Sequence, residues 1–192
     1  AIVVGGGPAG LTAALALADA GARIALLARR VPYADNRTTA LLGASIDLLE
    51  RLDVWRRCGS SAAELKVMRL VDDTGRLIRA PEVRFVAEEI GLDQFGFNID
   101  NRTLVAALEA RAEEFPNLSL VDDEAATVTP MEDAVAIATR HGKALGSRLV
   151  VGADGRQSLC RDAAGIGVRR RELNQSALTF NVGHSRPHGN VS

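Results

Sequence analysis

The chain has 192 residues, 47% apolar and 24% charged, with 23 Lys and Arg against 24 Asp and Glu. That is the composition of an ordinary globular domain, with or without a piece of a second. A net charge of −1 gives no electrostatic reason to expect nucleic acid or an anionic membrane as partner. No apolar run approaches the roughly 18–20 residues needed to cross a bilayer.

The first ten residues, Ala1-Ile2-Val3-Val4-Gly5-Gly6-Gly7-Pro8-Ala9-Gly10, run an apolar strand into G-x-G-x-x-G. Leu11 to Ala18, rich in Ala and Leu, reads as the helix that follows. This context points to pyrophosphate binding. Gly5 permits the tight turn out of the strand, Gly7 lets backbone approach an anion, and Gly10 lets helix and strand pack closely. The helix start adds unpaired N–H groups and the positive end of its dipole. Ala1 stands in or at the edge of a strand, with no initiator Met and no signal peptide, so the first residues are expected to be missing.

After the Gly21 helix stop, Arg23–Ala28 reads as a second apolar strand. In strand–helix–strand dinucleotide sites an acid closes this strand and holds the ribose hydroxyls. Here Ala28 takes that place, followed by Arg29 and Arg30. Two readings stand side by side. The arginines hold a 2′-phosphate, as in an NADP domain, or the ligand is FAD and its ribose is held by backbone and neighbours such as Arg29.

Residues 31–40 form a polar loop carrying Arg37. Leu41, Ile46, Leu48, Leu49 and Leu52 then give one buried helix face over 41–52. Arg37, just ahead of that helix, is a candidate phosphate contact. Trp55 and Cys58 read as core. Residues 65–80 read as a hairpin turning near Asp73–Gly75.

Asp100-Asn101-Arg102-Thr103 reads as a helix start, with Leu104, Ala107, Leu108 and Phe115 on its apolar side and Pro116 as its stop. Arg102 in the first turn opposes the helix dipole, which points to a ligand role. Strands follow at Leu118–Val121, Ala125–Val128, Val135–Thr139 and Arg148–Val151, expected to form a small antiparallel sheet. The last runs into Gly152-Ala153-Asp154-Gly155-Arg156-Gln157-Ser158, and a helix begins near Ser158 with Arg161 inside it. Glycine backbone here can lie against a ligand, while Asp154 accepts hydrogen bonds from hydroxyls or orders the turn.

Taken together, Gly5–Gly10, Arg37 and the Gly152–Arg161 block resemble the FAD domain of the class A, p-hydroxybenzoate hydroxylase-like flavin monooxygenases. Residues 34–41 (Ala-Asp-Asn-Arg-Thr-Thr-Ala-Leu) and Leu178–Val182 look most like the ubiquinone-biosynthesis hydroxylases of that group. The resemblance implies an α/β fold: a Rossmann-like FAD-binding domain with a central parallel sheet, an antiparallel β crossover and the start of a substrate-domain β-sheet. The expected division is a FAD-binding domain over 1–172, with substrate-domain insertion strands around 65–100, and a truncated substrate-domain start over 173–192. Ser176–Gly183 is expected to be a strand of it.

The implied cofactor residues are Gly5, Gly7, Pro8, Ala9, Gly10, Arg29, Arg37, Arg102, Gly152, Asp154 and Gly155. The implied activity is hydroxylation of an aromatic ring, in a small aromatic or polyprenylated ubiquinone precursor. It uses FAD, NADPH or NADH as reductant, and O₂ through a flavin C4a-hydroperoxide. Few catalytic side chains go with such chemistry, and none is assigned; no metal cluster is visible, and His184 and His188 lie in a Pro/Gly loop. A polyprenylated substrate implies a cytoplasmic protein working at the periphery of the inner membrane or in a biosynthetic complex, and a homodimer fits as well.

The sequence departs from the family at Ala28 and has no Gly-Asp dipeptide, the family's third motif. The chain therefore reads as the N-terminal portion of a longer enzyme. Two other readings remain: another flavin enzyme of the same fold, such as a reductase or halogenase, or a truncated, non-catalytic dinucleotide fold. Cys58 and Cys160 form no C-x-x-C pair, which excludes the disulfide-oxidoreductase branch; isolated thiols suit a reducing compartment and a packing role.

Overall fold

A computed structural model describes residues 1–30, 35–178, 183–187 and 189–192. In chain order its main elements are β1 (Ile2–Val4), α1 (Pro8–Asp19), β2 (Ile24–Leu27), β3 (Thr38–Leu42), α2 (Gly43–Arg51), α3 (Trp55–Cys58), β4 (Ala63–Leu65), β5 (Val67–Leu70), β6 (Val83–Val86), β7 (Gly96–Asp100), α4 (Asn101–Ala112), β8 (Leu118–Val121), β9 (Ala125–Pro130), β10 (Val135–Thr139), β11 (Ala144–Ser147), β12 (Val150–Gly152) and α5 (Leu159–Ala163).

The centre is a parallel sheet in the order β12-β1-β2-β8. The two central strands, β1 and β2, are short and apolar on both faces because both faces are covered. Val3, Ile24 and Leu26 point to one side, where Leu11, Ala14, Leu15 and Ala18 of α1 and Leu104, Val105 and Leu108 of α4 close the main core. Ile2, Val4 and Leu27 point to the other side and meet Ala125 and Ile137 from an antiparallel sheet, β11-β10-β9. The period-2 alternation of a strand thus feeds two separate cores. The result is a helix layer, a parallel sheet and an antiparallel sheet stacked in that order.

Helix α4 starts where the sequence places it. Asp100 is its N-cap, and its carboxylate accepts from the backbone N–H of Arg102 at 2.9 Å and of Thr103 at 3.3 Å. The helix ends at Ala112, one turn before Pro116. Asn117 then ties β8 to the end of α1, donating from its amide to the carbonyls of Ala18 and Ala22 at 2.8 Å each.

Three expectations are corrected, and a fourth falls partly outside the described residues. Leu41 belongs to strand β3, not to a helix: Thr38–Leu42 pairs antiparallel with Gly96–Asp100, and α2 begins only at Gly43. The hairpin closes later than expected, since β5 pairs with Val83–Val86 and Leu77 and Ile78 stand exposed in the connection. Leu118–Val121 and the strand before Asp154 join the parallel sheet, and the antiparallel sheet takes Ala144–Ser147 instead. Residues 176–178 are not in a strand, and 179–182 lie outside the described residues. At the end of the chain Val191 forms a bridge with Val67, and Arg69 N–H donates to the Ser192 carbonyl at 2.7 Å.

Candidate functional site

The turn after β1 is built by contacts that admit no side chain. Gly5 has φ of +115°, and a Cβ there would overlap the Ala153 carbonyl. A Cβ on Gly10 would overlap the Gly5 carbonyl. Gly7 differs: a Cβ there would meet nothing within 4 Å. It is the N-cap of α1, with Pro8 at the first helical position, no side-chain cap and no acid in the first turn. Among the described residues no side chain caps this helix start, and the space beside Gly7 is open. Helices α4 and α5, by contrast, are capped by Asp100 and Ser158.

The Asp-Gly block is fastened to this loop. Ala153 N–H donates to the Val4 carbonyl at 2.8 Å, continuing the β1–β12 pairing into the turn. Asp154 accepts from the Ser158 hydroxyl at 2.5 Å and from the Cys160 N–H at 3.0 Å. Burial raises its pKa, but these hydrogen bonds outweigh burial and hold the carboxyl below its ordinary value. A Cβ on Gly152 would sit 2.5 Å from the Cys160 Cβ, so the glycine lets α5 pack against the strand end. Burial, followed by the charge of Asp154, pushes the Cys160 thiol up to about 11. Gly155 follows with φ of +82° and open space around it.

A cleft of about 750 Å³ opens at the carboxyl ends of β1 and β2, where ligands bind in open α/β sheets. Gly5, Gly6, Gly7, Ala28, Arg29 and Asp154 line it, joined by Glu109, Glu124 and Arg140. The structure therefore brings Gly5, Gly7, Arg29 and Asp154 together. Pro8, Ala9 and Gly10 continue from that loop into α1, and Gly152 and Gly155 flank Asp154. Arg37 and Arg102 do not line this cleft. They adjoin one another where β3 and β7 lead into α4, for Thr38 pairs with Asp100 and Asn101 N–H donates to the Arg37 carbonyl at 3.0 Å. The Arg37 guanidinium donates to Asp35 at 2.7 to 3.1 Å, and with the Asn101 amide holds that carboxyl well below the usual range. Arg37 precedes a strand, not the helix expected there.

Four groups in and under the cleft, Glu124, Arg140, Asp123 and His141, escaped the sequence reading. Glu124 pairs with Arg29 at 2.7 Å and with Arg140 at 2.8 Å. Beneath it, the fully buried Asp123 accepts from the Glu124 N–H at 2.8 Å and meets His141 Nδ1 at 2.7 Å. Burial raises the Asp123 pKa, yet hydrogen bonds from Thr139, the Glu124 N–H and His141 bring it below its ordinary value. In the sequence, Asp122-Asp123 and His141-Gly142 read only as turns. The available signal was a run of three acids leaving a strand that pairs in parallel with β2.

A sheet with a glycine loop at its carboxyl edge, an uncapped helix start and an adjoining cleft defines a dinucleotide-binding protein of the strand–loop–helix class. The chain belongs to the FAD binding domain family, whose model matches residues 1–188. It is 31% identical to the ubiquinone hydroxylase UbiL of Rhodospirillum rubrum over 97% of this chain and 44% of that protein. It is 29% identical to the 3-demethoxyubiquinol 3-hydroxylase of Escherichia coli over 94% of this chain and 47% of that protein. The chain thus spans about half the length of these curated relatives. Among solved structures, the flavin-dependent monooxygenase PieE, determined with FAD and substrate, superposes with a TM-score of 0.68 at 25% identity over 86% of this chain and 32% of that one.

The residues present fit FAD. The open Gly7 and the uncapped α1 start suit a diphosphate, and the family match favours FAD over an NADP nucleotide as the ligand. Both arginines already face acids: Arg29 pairs with Glu124, and Arg30 reaches Glu113 at 3.4 Å.

Proposed function

We propose that this chain is the flavin-binding part of an aromatic-ring hydroxylase acting on a polyprenyl phenol or quinol precursor of ubiquinone. The observation that carries the reading is the identity to UbiL along 97% of the chain, with the glycine loop and the Asp-Gly turn packed around one cleft. The chemistry FAD supplies when bound is acceptance of hydride from a reduced nicotinamide and activation of O₂ for transfer of one oxygen atom to the ring.

The chain's own residues bind and orient. Gly7 and the N–H groups of Ala9 and Gly10 take the diphosphate. Asp154 holds the second turn rigid against the first, so Gly155 backbone can border the cofactor. Arg37 and Arg102, at the α4 start, contact the cofactor beyond the cleft. NADPH or NADH is the reductant. No helix among the described residues is long and apolar enough to cross a membrane. In this reading a polyprenyl substrate is met at a membrane surface or within a biosynthetic assembly.

Residues 1–172 form the FAD-binding domain in this reading, and 173–192 open the substrate domain. The bridge of Val191 to β5 and the β5–β6 pairing support grouping the terminal residues with the insertion strands.

The test uses the full-length protein loaded with FAD. Reduced nicotinamide is supplied with a short-chain prenyl phenol, and the product is weighed by mass spectrometry. Gain of one oxygen atom, together with substrate-stimulated nicotinamide oxidation, is the expected result. Nicotinamide oxidation with no oxygenated product would overturn the hydroxylase reading in favour of another flavin enzyme of this fold.

A further inference from the structure

Ala28 leaves the end of β2 without the carboxylate that takes the ribose hydroxyls in this class of site. The neighbouring strand supplies one. Leu27 pairs with Val121, and Ala28 N–H donates to the Val121 carbonyl at 3.1 Å, so the chain leaving β8 runs beside the chain leaving β2. Three residues on, Glu124 enters the cleft that Gly7 and Ala28 also line.

Its position is fixed from two sides. One carboxylate oxygen meets Arg29 Nε at 2.7 Å and the other meets Arg140 Nε at 2.8 Å. The side chain is 34% exposed, which leaves it open to the cleft. A carboxylate has about four acceptor sites, so each oxygen keeps capacity for one hydroxyl donor. The other acids of the cleft are less suited. Asp123 is buried and engaged by Glu124 N–H and His141, and Asp154 is engaged by Ser158 and Cys160. Glu109 stands exposed on α4.

We propose that Glu124 accepts the adenosine ribose hydroxyls of FAD, supplying from β8 the carboxylate that β2 lacks, with Arg29 and Arg140 as its positioning residues. The proposal rests on the FAD reading above. It also gives Arg29 a function other than phosphate binding: two guanidinium groups held by one carboxylate serve as its clamp.

The test is a double comparison in the full-length protein. Fluorescence titration measures binding of FAD, and of an FAD analogue whose adenosine ribose lacks the 2′ and 3′ hydroxyls, to wild type, Glu124→Gln, Glu109→Gln and Glu124→Gln/Ala28→Glu. Wild type should bind the analogue about tenfold more weakly than FAD, the size of a lost charge-assisted hydrogen bond. Glu124→Gln should bind both ligands alike, Glu109→Gln should behave as wild type, and Ala28→Glu should restore the preference for FAD. Should Glu124→Gln fail to fold, Glu124→Asp keeps the charge with a shorter reach and should lose part of the same preference. The proposal is overturned if the variant that folds discriminates between the ligands as wild type does, or if Glu109→Gln carries the loss. Failure of wild type to bind FAD at all would instead overturn the flavin reading.

Discussion

The Gly5 backbone packs directly on the carbonyl of Ala153, so the glycine loop and the Asp-Gly turn, nearly 150 residues apart, form one piece of backbone. The packing also separates glycines that build the loop from the glycine that faces the ligand. Gly5→Ala must relieve both an overlap with backbone and a φ of +115°, and should cost ~2 kcal/mol or more. Gly7→Ala adds a methyl to open space at an N-cap, and should cost at most about 1 kcal/mol. Its effect should fall on FAD affinity. Thermal unfolding of the apo-proteins beside flavin titration separates the two, and equal losses of stability would contradict this division of roles.

Asp154 makes the turn sensitive to acid. Its folded-state pKa is held below the ordinary 3.8. Its contribution is therefore complete above that unfolded value and is lost as pH falls through the lower folded value. Asp154→Asn should reduce stability by about 1–2 kcal/mol near neutral pH, the size of a weakened pair of part-buried hydrogen bonds. The gap between variant and wild type should narrow as pH falls below about 4, read by denaturant unfolding at several pH values. A gap independent of pH would show that the charge of Asp154 is immaterial.

The two thiols should be silent in the folded chain. Burial raises the pKa of Cys58, and burial with the nearby Asp154 charge raises Cys160 to about 11, against an ordinary 9.0. Near pH 8 the Cys160 thiolate fraction falls about a hundredfold, since the thiolate is the reactive form. Alkylation of native protein should be slow at both positions, and two thiols per chain should react on unfolding. Rapid labelling of Cys160 without unfolding would mean that α5 does not stay packed on β12.

Asp100 provides a simpler test of local structure. Its carboxylate accepts from two N–H groups at the start of α4, the helix that covers the parallel sheet beside α1. Asp100→Ala should lower stability by about 1 kcal/mol, measured by chemical denaturation. No change would mean that water serves this helix start as well as the side chain does.

Much of this was legible in the sequence, for physical reasons that can be stated. The strand–glycine–helix run at Ile2–Leu11 and the Asp100 helix start declare themselves because backbone geometry there demands particular residue types. The segment around Leu41 misled because five leucine and isoleucine positions fit a helical face, while the pairing of β3 with β7 is a contact across more than 50 residues that periodicity does not record. The sheet assignments of Leu118–Val121 and Val150–Gly152 failed for the same reason: strand neighbours are set by the crossover, not by adjacency along the chain. Glu124 was invisible because its meaning depends on Arg29, Arg140 and Ala28 arriving at one strand edge.

The central claim, that the glycine loop and the Asp-Gly turn form a FAD site, is tested most directly by the visible absorption of the purified full-length protein after incubation with FAD and desalting. The account predicts flavin bands retained at one equivalent per chain, weakened in Gly7→Ala protein of near-normal stability. A well-folded wild-type protein that emerges colourless would contradict it.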